Sequence, residues 1–262
     1  MISGRAVVIK SPHEIALMRE AGRVNALALD AARELIRPGV STLELDEAAY
    51  SVITEHGGRP AFLDYPGPYP FPATLTISIN EELVHGIPSE KRKLQDGDIV
   101  SIDCGTVLDS FVADSAFTTG VGDISPAAQH LLKVTEEALY IGIDQMRPGN
   151  RVGDVSSAIQ KHVEGHGYHV PREYTGHGVG RQMHEGPNVP NYGVQGRGLA
   201  LRPGITVALE PMVLVGTHRT RVLSDQWTVI SADRSLTAHF EHSVAVTEGE
   251  PFILTLPEEV IM

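Results

Sequence analysis

Thiol chemistry is nearly absent from this sequence. Its one cysteine, Cys104, excludes both an intrachain disulfide and a thiolate zinc cluster. No apolar run reaches the roughly 18 residues of a membrane span, and the segment Met1–Lys10 lacks the apolar core of a signal peptide. Basic residues are outnumbered as well. With 21 lysines and arginines against 33 acids, the formal charge is −12, which argues against nucleic acid or an anionic membrane as the main partner. What remains is a chain of 262 residues, 42% hydrophobic and 21% charged, able to bury a sizeable core as one large domain or two small ones. The expected setting is the cytoplasm.

Start and stop signals divide the chain. Ser11-Pro12-His13-Glu14 combines an N-cap serine, a proline at the first helical position and a glutamate that closes a capping box. Ile15, Met18, Gly22, Leu29, Ala32 and Ile36 follow at helical spacing as far as Arg37-Pro38-Gly39. A second box, Ser41-Thr42-Leu43-Glu44, opens a helix with Leu45, Ala48, Ala49, Val52 and Ile53 on its apolar side, ended by Gly57-Gly58. Ser125-Pro126 starts the pattern again, with a stop at Arg147-Pro148-Gly149 and a shorter helix to about Gly165. A shift of 110 positions lays Arg37-Pro38-Gly39 on Arg147-Pro148-Gly149, Ala48 on Ala158 and His56-Gly57 on His166-Gly167, without a gap. The expectation is an internal duplication: pseudo-repeats over about 11–120 and 125–249 inside one catalytic domain spanning 1–262. The period is too long for a solenoid.

Two alternating runs, Asp98–Asp103 and Ile205–Glu210, each follow a glycine turn and read as strands. Laying Gly97 on Gly204 brings Asp103 onto Glu210. A further strand with an acid follows each: Phe111-Val112-Ala113-Asp114 and Ala238-His239-Phe240-Glu241. A symmetric hairpin turning at Leu108-Asp109 would set Asp103 directly opposite Asp114, with Cβ atoms about 4.5–5.5 Å apart. Like charges so close need a proton, a cation or full exposure. Glu210 stands in an otherwise apolar run, where an unpaired charge is costly, and Glu241 shares its strand face with His239 and Ser243. For any single strand acid, an exposed edge is the ordinary explanation. For four at related positions, a pair of divalent ions is the more economical one.

The stretch Thr175–Pro187 sets four glycines around two histidines, His177 and His184, seven residues apart. Glycine is costly in helices and strands, so a tight loop that brings both imidazoles to a ligand is expected. Alone, the stretch fits a turn with solvated histidines equally well. Four acids plus His177 form an oxygen-rich set with one imidazole, suited to manganese, iron, cobalt or zinc rather than to calcium or magnesium. Two such ions about 3.5–4 Å apart share bridging carboxylates, turn a bound water into a hydroxide nucleophile near neutral pH and polarise a carbonyl. Amide hydrolysis is the natural reaction class.

The stretches Asn80–Pro88, Asp98–Gly105, Thr175–Pro187, Ala208–Met212 and Phe240–Thr247 resemble, in order and spacing, the motifs of type I methionine aminopeptidases, over about Ser11 to Glu248. The resemblance implies a mixed α/β (α+β) pita-bread fold: two pseudo-symmetric halves of helices and antiparallel strands around a dinuclear metal site. It also implies removal of the initiator methionine from nascent polypeptides when the second residue is small. Carried over by position, Asp103, Asp114, His177, Glu210 and Glu241 are the implied ligands. By the family pattern Asp114 and Glu241 are implied to bridge two divalent ions, Asp103 to chelate one, and His177 with Glu210 to hold the other. Glu210 is further implied to accept a proton from the attacking water. His184 is implied to hydrogen-bond the substrate carbonyl and its tetrahedral intermediate, and His85 to lie near the scissile amide nitrogen.

Phe62, Tyr65, Thr76, Met183 and Trp227 are implied to line the methionine pocket, where a polarizable thioether suits aromatic edges. The chain departs from the family there. Many relatives have cysteine in place of Thr76 and an aromatic in place of Met183, and the Pro-rich segment Tyr65–Pro72 is expanded. No cysteine-rich zinc-binding extension precedes the core, as in the short bacterial form. The implied partners are nascent N-termini near the ribosome, with no direct nucleic-acid or membrane contact, and the implied state is a monomer. One rival is a proline-specific aminopeptidase or prolidase, which generally carries an additional N-terminal domain. Another is a metal-free binding protein on the same scaffold, which would be expected to have lost ligands.

Overall fold

A computed structural model describes residues 6–257 of the chain. Helices α1 (Pro12–Glu34) and α2 (Thr42–Glu55) precede strands β1 (Arg59–Pro60), β2 (Leu75–Ile79), β3 (Glu82–Val84), β4 (Ile99–Leu108) and β5 (Phe111–Gly120). Helices α3 (Pro126–Asp144) and α4 (Val152–Gly165) then precede β6 (Thr175–Gly178), β7 (Glu185–Pro190), β8 (Thr206–Leu209), β9 (Met212–Leu214) and β10 (Thr220–Val222). The last strands are β11 (Val229–Ser231), β12 (Thr237–His239), β13 (His242–Ala245) and β14 (Phe252–Ile253).

The helices begin at their caps. Ser11 Oγ accepts from the Glu14 N–H at 3.3 Å while the Glu14 carboxylate accepts from the Ser11 N–H at 3.0 Å. Ser41 and Glu44 make the same exchange at 3.3 and 2.8 Å. On α3, Ser125 Oγ accepts from the Ala128 N–H at 3.1 Å. At α4 the N-cap is Arg151, whose side chain offers no acceptor, and only the return bond survives, from the Arg151 N–H to Asp154 at 2.7 Å.

Strand pairing is antiparallel in both large sheets. β4 pairs with β1 and β2 on one side and with β5 on the other; the second sheet runs β14-β13-β8-β6-β7. The sheets meet where Ala116 and Glu241 exchange backbone hydrogen bonds of 2.9 and 3.2 Å. Ile77, Ile102, Leu131, Leu139, Ile159, Leu209 and Val244 are buried in one cluster drawn from both sets of elements, and cutting one back to alanine costs about 2–5 kcal/mol.

Three local expectations are corrected. The β4–β5 hairpin turns at Asp109-Ser110, both at positive φ (48° and 67°), as a two-residue turn matched to strand twist requires. Asp103 therefore pairs with Ala116, and Asp114 with Gly105; the two acids are diagonal neighbours on one face, not direct opposites. The glycine-rich stretch is not all loop, because Thr175–Gly178 forms β6 inside the five-stranded sheet. A Cβ at Gly178 would stand 2.0 Å from the Gly186 carbonyl oxygen, so close backbone approach is what demands glycine there. Finally, the run 238–241 is not one strand: β12 ends at His239, β13 begins at His242, and Glu241 sits between them.

Candidate active site

Register explains how five distant side chains meet. Directly paired residues share a sheet face, as do residues two apart along a strand. Asp103 pairs with Ala116, and Ala116 with Glu241. His177 pairs with Ala208, and Ala208 with Ser243. Asp114 stands two residues from Ala116, Glu210 two from Ala208, and Glu241 two from Ser243. All five candidate ligands thus line one face across the junction of the sheets, with small alanines at the crossing points leaving room above them.

Their atoms are close. His177 Nε2 lies 3.7 Å from Asp114 Oδ2 and 3.6 Å from Glu210 Oε1. Asp114, His177 and Glu241 each offer a donor atom within 4.8 Å of the others. The Gly178 carbonyl accepts a hydrogen bond from His177 Nδ1–H at 3.0 Å, which leaves the Nε2 lone pair toward the acids. Asp103, Asp114 and Glu241 are buried, and one oxygen of each (Oδ1, Oδ1 and Oε1) has no hydrogen-bond partner.

The electrostatics follow from that burial. Loss of solvent pushes Asp103 up to about 7, against hydrogen bonds with Asp114, Thr76 and the Cys104 N–H that pull it down. Burial first, and then neighbouring carboxylate charge, raises Asp114, Glu210 and Glu241 well above the usual carboxylate range. Four acids gathered in this way favour protons or cations. Orphaned oxygens beside an imidazole form a donor set suited to a divalent metal.

All twelve candidate residues line one pocket. Besides the five, these are His85, His184 and Thr76 and the apolar wall of Phe62, Tyr65, Met183 and Trp227. Thr76 pairs across β2–β4 with Asp103 and hydrogen-bonds its carboxylate, so it serves the acids as well as the wall. The Tyr65 hydroxyl lies 2.6 Å from His184 Nδ1, and the rings of His177 and His184 are 4.2 Å apart. Burial lowers His85 to about 4, which keeps its imidazole neutral. Gly105 forms part of the floor: a Cβ there would stand 2.6 Å from Met183 Cε and 3.0 Å from Phe62 Cε1.

Sequence reasoning missed three features. Phe71 lines the pocket and packs edge-on against Trp227 at 5.2 Å; its only signal was an apolar residue within the Pro-rich segment. His239 is buried beside Glu210 and Glu241, and burial, then the charge of His85, pushes its pKa down to about 3. Its signal was its place on the face of Glu241. Lys10 forms a buried ion pair with Glu185 at 2.5 Å, for which the sequence carries no local signal. The other Glu185 oxygen accepts from the Arg181 and Gln182 N–H groups at 2.8 and 3.2 Å, bracing the turn that presents Met183 and His184.

Residues 16–248 match the family described as metallopeptidase family M24. A methionine aminopeptidase of Clostridium perfringens is 47% identical over 250 residues, covering 95% of this chain and 99% of the relative. The crystal structure of methionine aminopeptidase from Thermotoga maritima superposes with a TM-score of 0.93 at 42% identity, over 95% of this chain and 99% of that one. The prolidase of Pyrococcus horikoshii shares the fold, with a TM-score of 0.75 and 24% identity over 97% of this chain and 65% of its own.

Proposed function

The chain belongs to metallopeptidase family M24, and we propose that it is the methionine aminopeptidase that its sequence motifs imply, a hydrolase cutting the first peptide bond behind an N-terminal methionine. The observation that carries this reading is the joining of four largely buried acids and His177 to a pocket walled by Phe62, Tyr65, Phe71, Met183 and Trp227. Asp103, Asp114, His177, Glu210 and Glu241 would hold two divalent ions, with cobalt, manganese, iron and zinc as the candidates. Bound there, they would polarise the scissile carbonyl and lower the pKa of the attacking water.

The rest of the reaction falls to the protein's own groups. Phe62, Tyr65, Phe71, Met183 and Trp227 take the methionine side chain. Tyr65 donates to His184 Nδ1 and leaves Nε2–H to bind the carbonyl oxygen as negative charge develops. Glu210 receives the proton of the attacking water. His85, kept neutral by burial, meets the scissile nitrogen and assists departure of the amine. The substrates we infer are N-termini of nascent polypeptides with a small second residue, met in the cytoplasm close to the ribosome by a monomeric enzyme.

Metal-stripped protein, reconstituted anaerobically with each candidate ion, should cleave a Met-Ala-Ser peptide and lose that activity to a chelator. Rapid cleavage of an X-Pro peptide alone would overturn the reading in favour of a prolidase. His184→Ala should keep most of its metal and lose about 10²–10³ in kcat; near-normal turnover would contradict its assigned role.

A further inference from the structure

His239 is 2% exposed, and its Nε2 is buried with no hydrogen-bond partner. That atom stands 3.8 Å from Glu210 Oε2 and 3.7 Å from Glu241 Oε2. Neither acid sits within a regular strand, for Glu210 follows the end of β8 and Glu241 fills the gap between β12 and β13. A metal site works only with its carboxylates held in one geometry, and the groups that hydrogen-bond those carboxylates set it. Asp103 has Thr76 to hold it. The nitrogen that faces both glutamates is His239 Nε2.

The platform beneath this histidine is rigid. Thr118 Oγ1 accepts from the His239 N–H at 2.9 Å and donates to its carbonyl at 2.7 Å, which ties β12 to β5 at that residue. His239 Nε2 faces Glu210 and Glu241, whereas His177 Nε2 faces Asp114 and Glu210; the absorption spectrum of the bound ion is what separates a positioning histidine from a ligand.

We propose that His239 is a positioning residue whose Nε2–H, now 3.8 and 3.7 Å from the Glu210 and Glu241 carboxylates, closes to a hydrogen bond shared between them when metal is bound and holds both toward it. The inference rests on the metallopeptidase reading above. Hydrogen-bonding partners of metal ligands typically contribute about 10–100-fold in metal affinity.

The test is a titration of metal-stripped, full-length protein with Co²⁺ against a competing chelator, followed through the visible absorption of the bound ion. His239→Leu removes the donor at similar volume; His239→Gln keeps an N–H at similar reach. The leucine variant should bind Co²⁺ about 10–100-fold more weakly, and glutamine should restore most of that loss. At saturation both variants should keep the wild-type band positions, since no nitrogen ligand has been removed. Wild-type affinity in the leucine variant, equal losses in both variants, or a shifted spectrum marking a lost nitrogen ligand would each overturn the proposal. If His239→Leu does not fold, the glutamine variant decides: near-wild-type affinity supports the role, and a loss of about tenfold or more sinks it. Should wild-type protein bind no Co²⁺, and Asp114→Asn behave identically, the metallopeptidase reading itself fails and takes this proposal with it.

Discussion

Asp103 and Asp114 stand on two ten-residue strands paired without a break from Ile99 and Gly120 to Leu108 and Phe111. Glu210 and Glu241 stand instead just past a strand end and in a gap between strands. The elements before them correspond closely. α2 and α4 are displaced by 110 positions at both ends, from Thr42 to Val152 and from Glu55 to Gly165. Gly39 and Gly149 share φ near 90° (91° and 96°), and so do Gly97 and Gly204 (90° and 89°). We read the halves as copies of one unit that diverged where chemistry entered. A continuous hairpin sets the backbone of both acids, and Thr76 adds a hydrogen bond to the Asp103 carboxylate. In the second half Glu241 is tied to the first by its backbone bonds with Ala116, and His239 stands beside both glutamates.

The largest expected effect asks whether the halves are equal partners. Asp114→Asn and Glu241→Gln, one from each half, should both reduce bound metal and peptide cleavage to background, because a neutral amide does not bridge two cations as a carboxylate does. Metal analysis beside an activity assay checks this. Normal turnover by Asp114→Asn would make the first-half acids merely structural.

Next comes the tie between the halves. Lys10 precedes α1 yet neutralises Glu185 beneath the turn of His184. Lys10→Met strands a buried carboxylate and should destabilise the protein by about 3–5 kcal/mol in urea unfolding. A loss within about 0.5 kcal/mol, the level of an ordinary surface change, would mean the pair braces nothing.

A pH experiment weighs the clustered acids together. Asp103 titrates at about 7 in the fold and at about 3.9 in an unfolded chain. Between those values the native state binds more protons than the unfolded one, so the stripped protein loses stability as pH rises through that window. Bound divalent cations remove the cause. The gap in Tm between Mn²⁺-loaded and stripped protein should therefore widen from about pH 5 to about pH 8. Equal gaps at both ends would show that the acids are not held at this cost.

The smallest effect compares the caps. Ser41→Ala removes a side-chain acceptor at the start of α2 and should cost about 1 kcal/mol. Arg151→Ala, at the matching site on α4, removes no cap acceptor, only an exposed hydrogen bond to the Gly198 carbonyl, and should cost less than the serine change. Thermal denaturation of both variants tests the pair.

Much of this was legible in one dimension. Caps, helix stops and the 110-residue offset are local signals, and the helices begin where they say. Asp103, His177, Glu210, Glu241, His85, Met183 and His184 lie within the motif stretches, while Asp114, Phe62, Tyr65, Thr76 and Trp227 were named by family position outside them and Phe71 was not named. Other features were not, for physical reasons. The hairpin register hung on Asp109 and Ser110 both adopting positive φ, which neither residue type announces as glycine would. Gly176 and Gly178 looked like loop formers because glycine's use in close backbone approach depends on which strand lies alongside.

By itself, then, the sequence determined which side chains this protein has for its chemistry and the helices that frame them, since capping and periodicity act within a few residues. Tertiary structure decided which of them touch. The diagonal placement of Asp103 and Asp114, the bridge from Ala116 to Glu241, the ion pair of Lys10 with Glu185 and the station of His239 between two glutamates all join residues far apart in the chain or set by register. Such contacts exist only once the sheets have docked, because strand pairing and burial bring distant groups within reach and strip the water that would otherwise screen their charges.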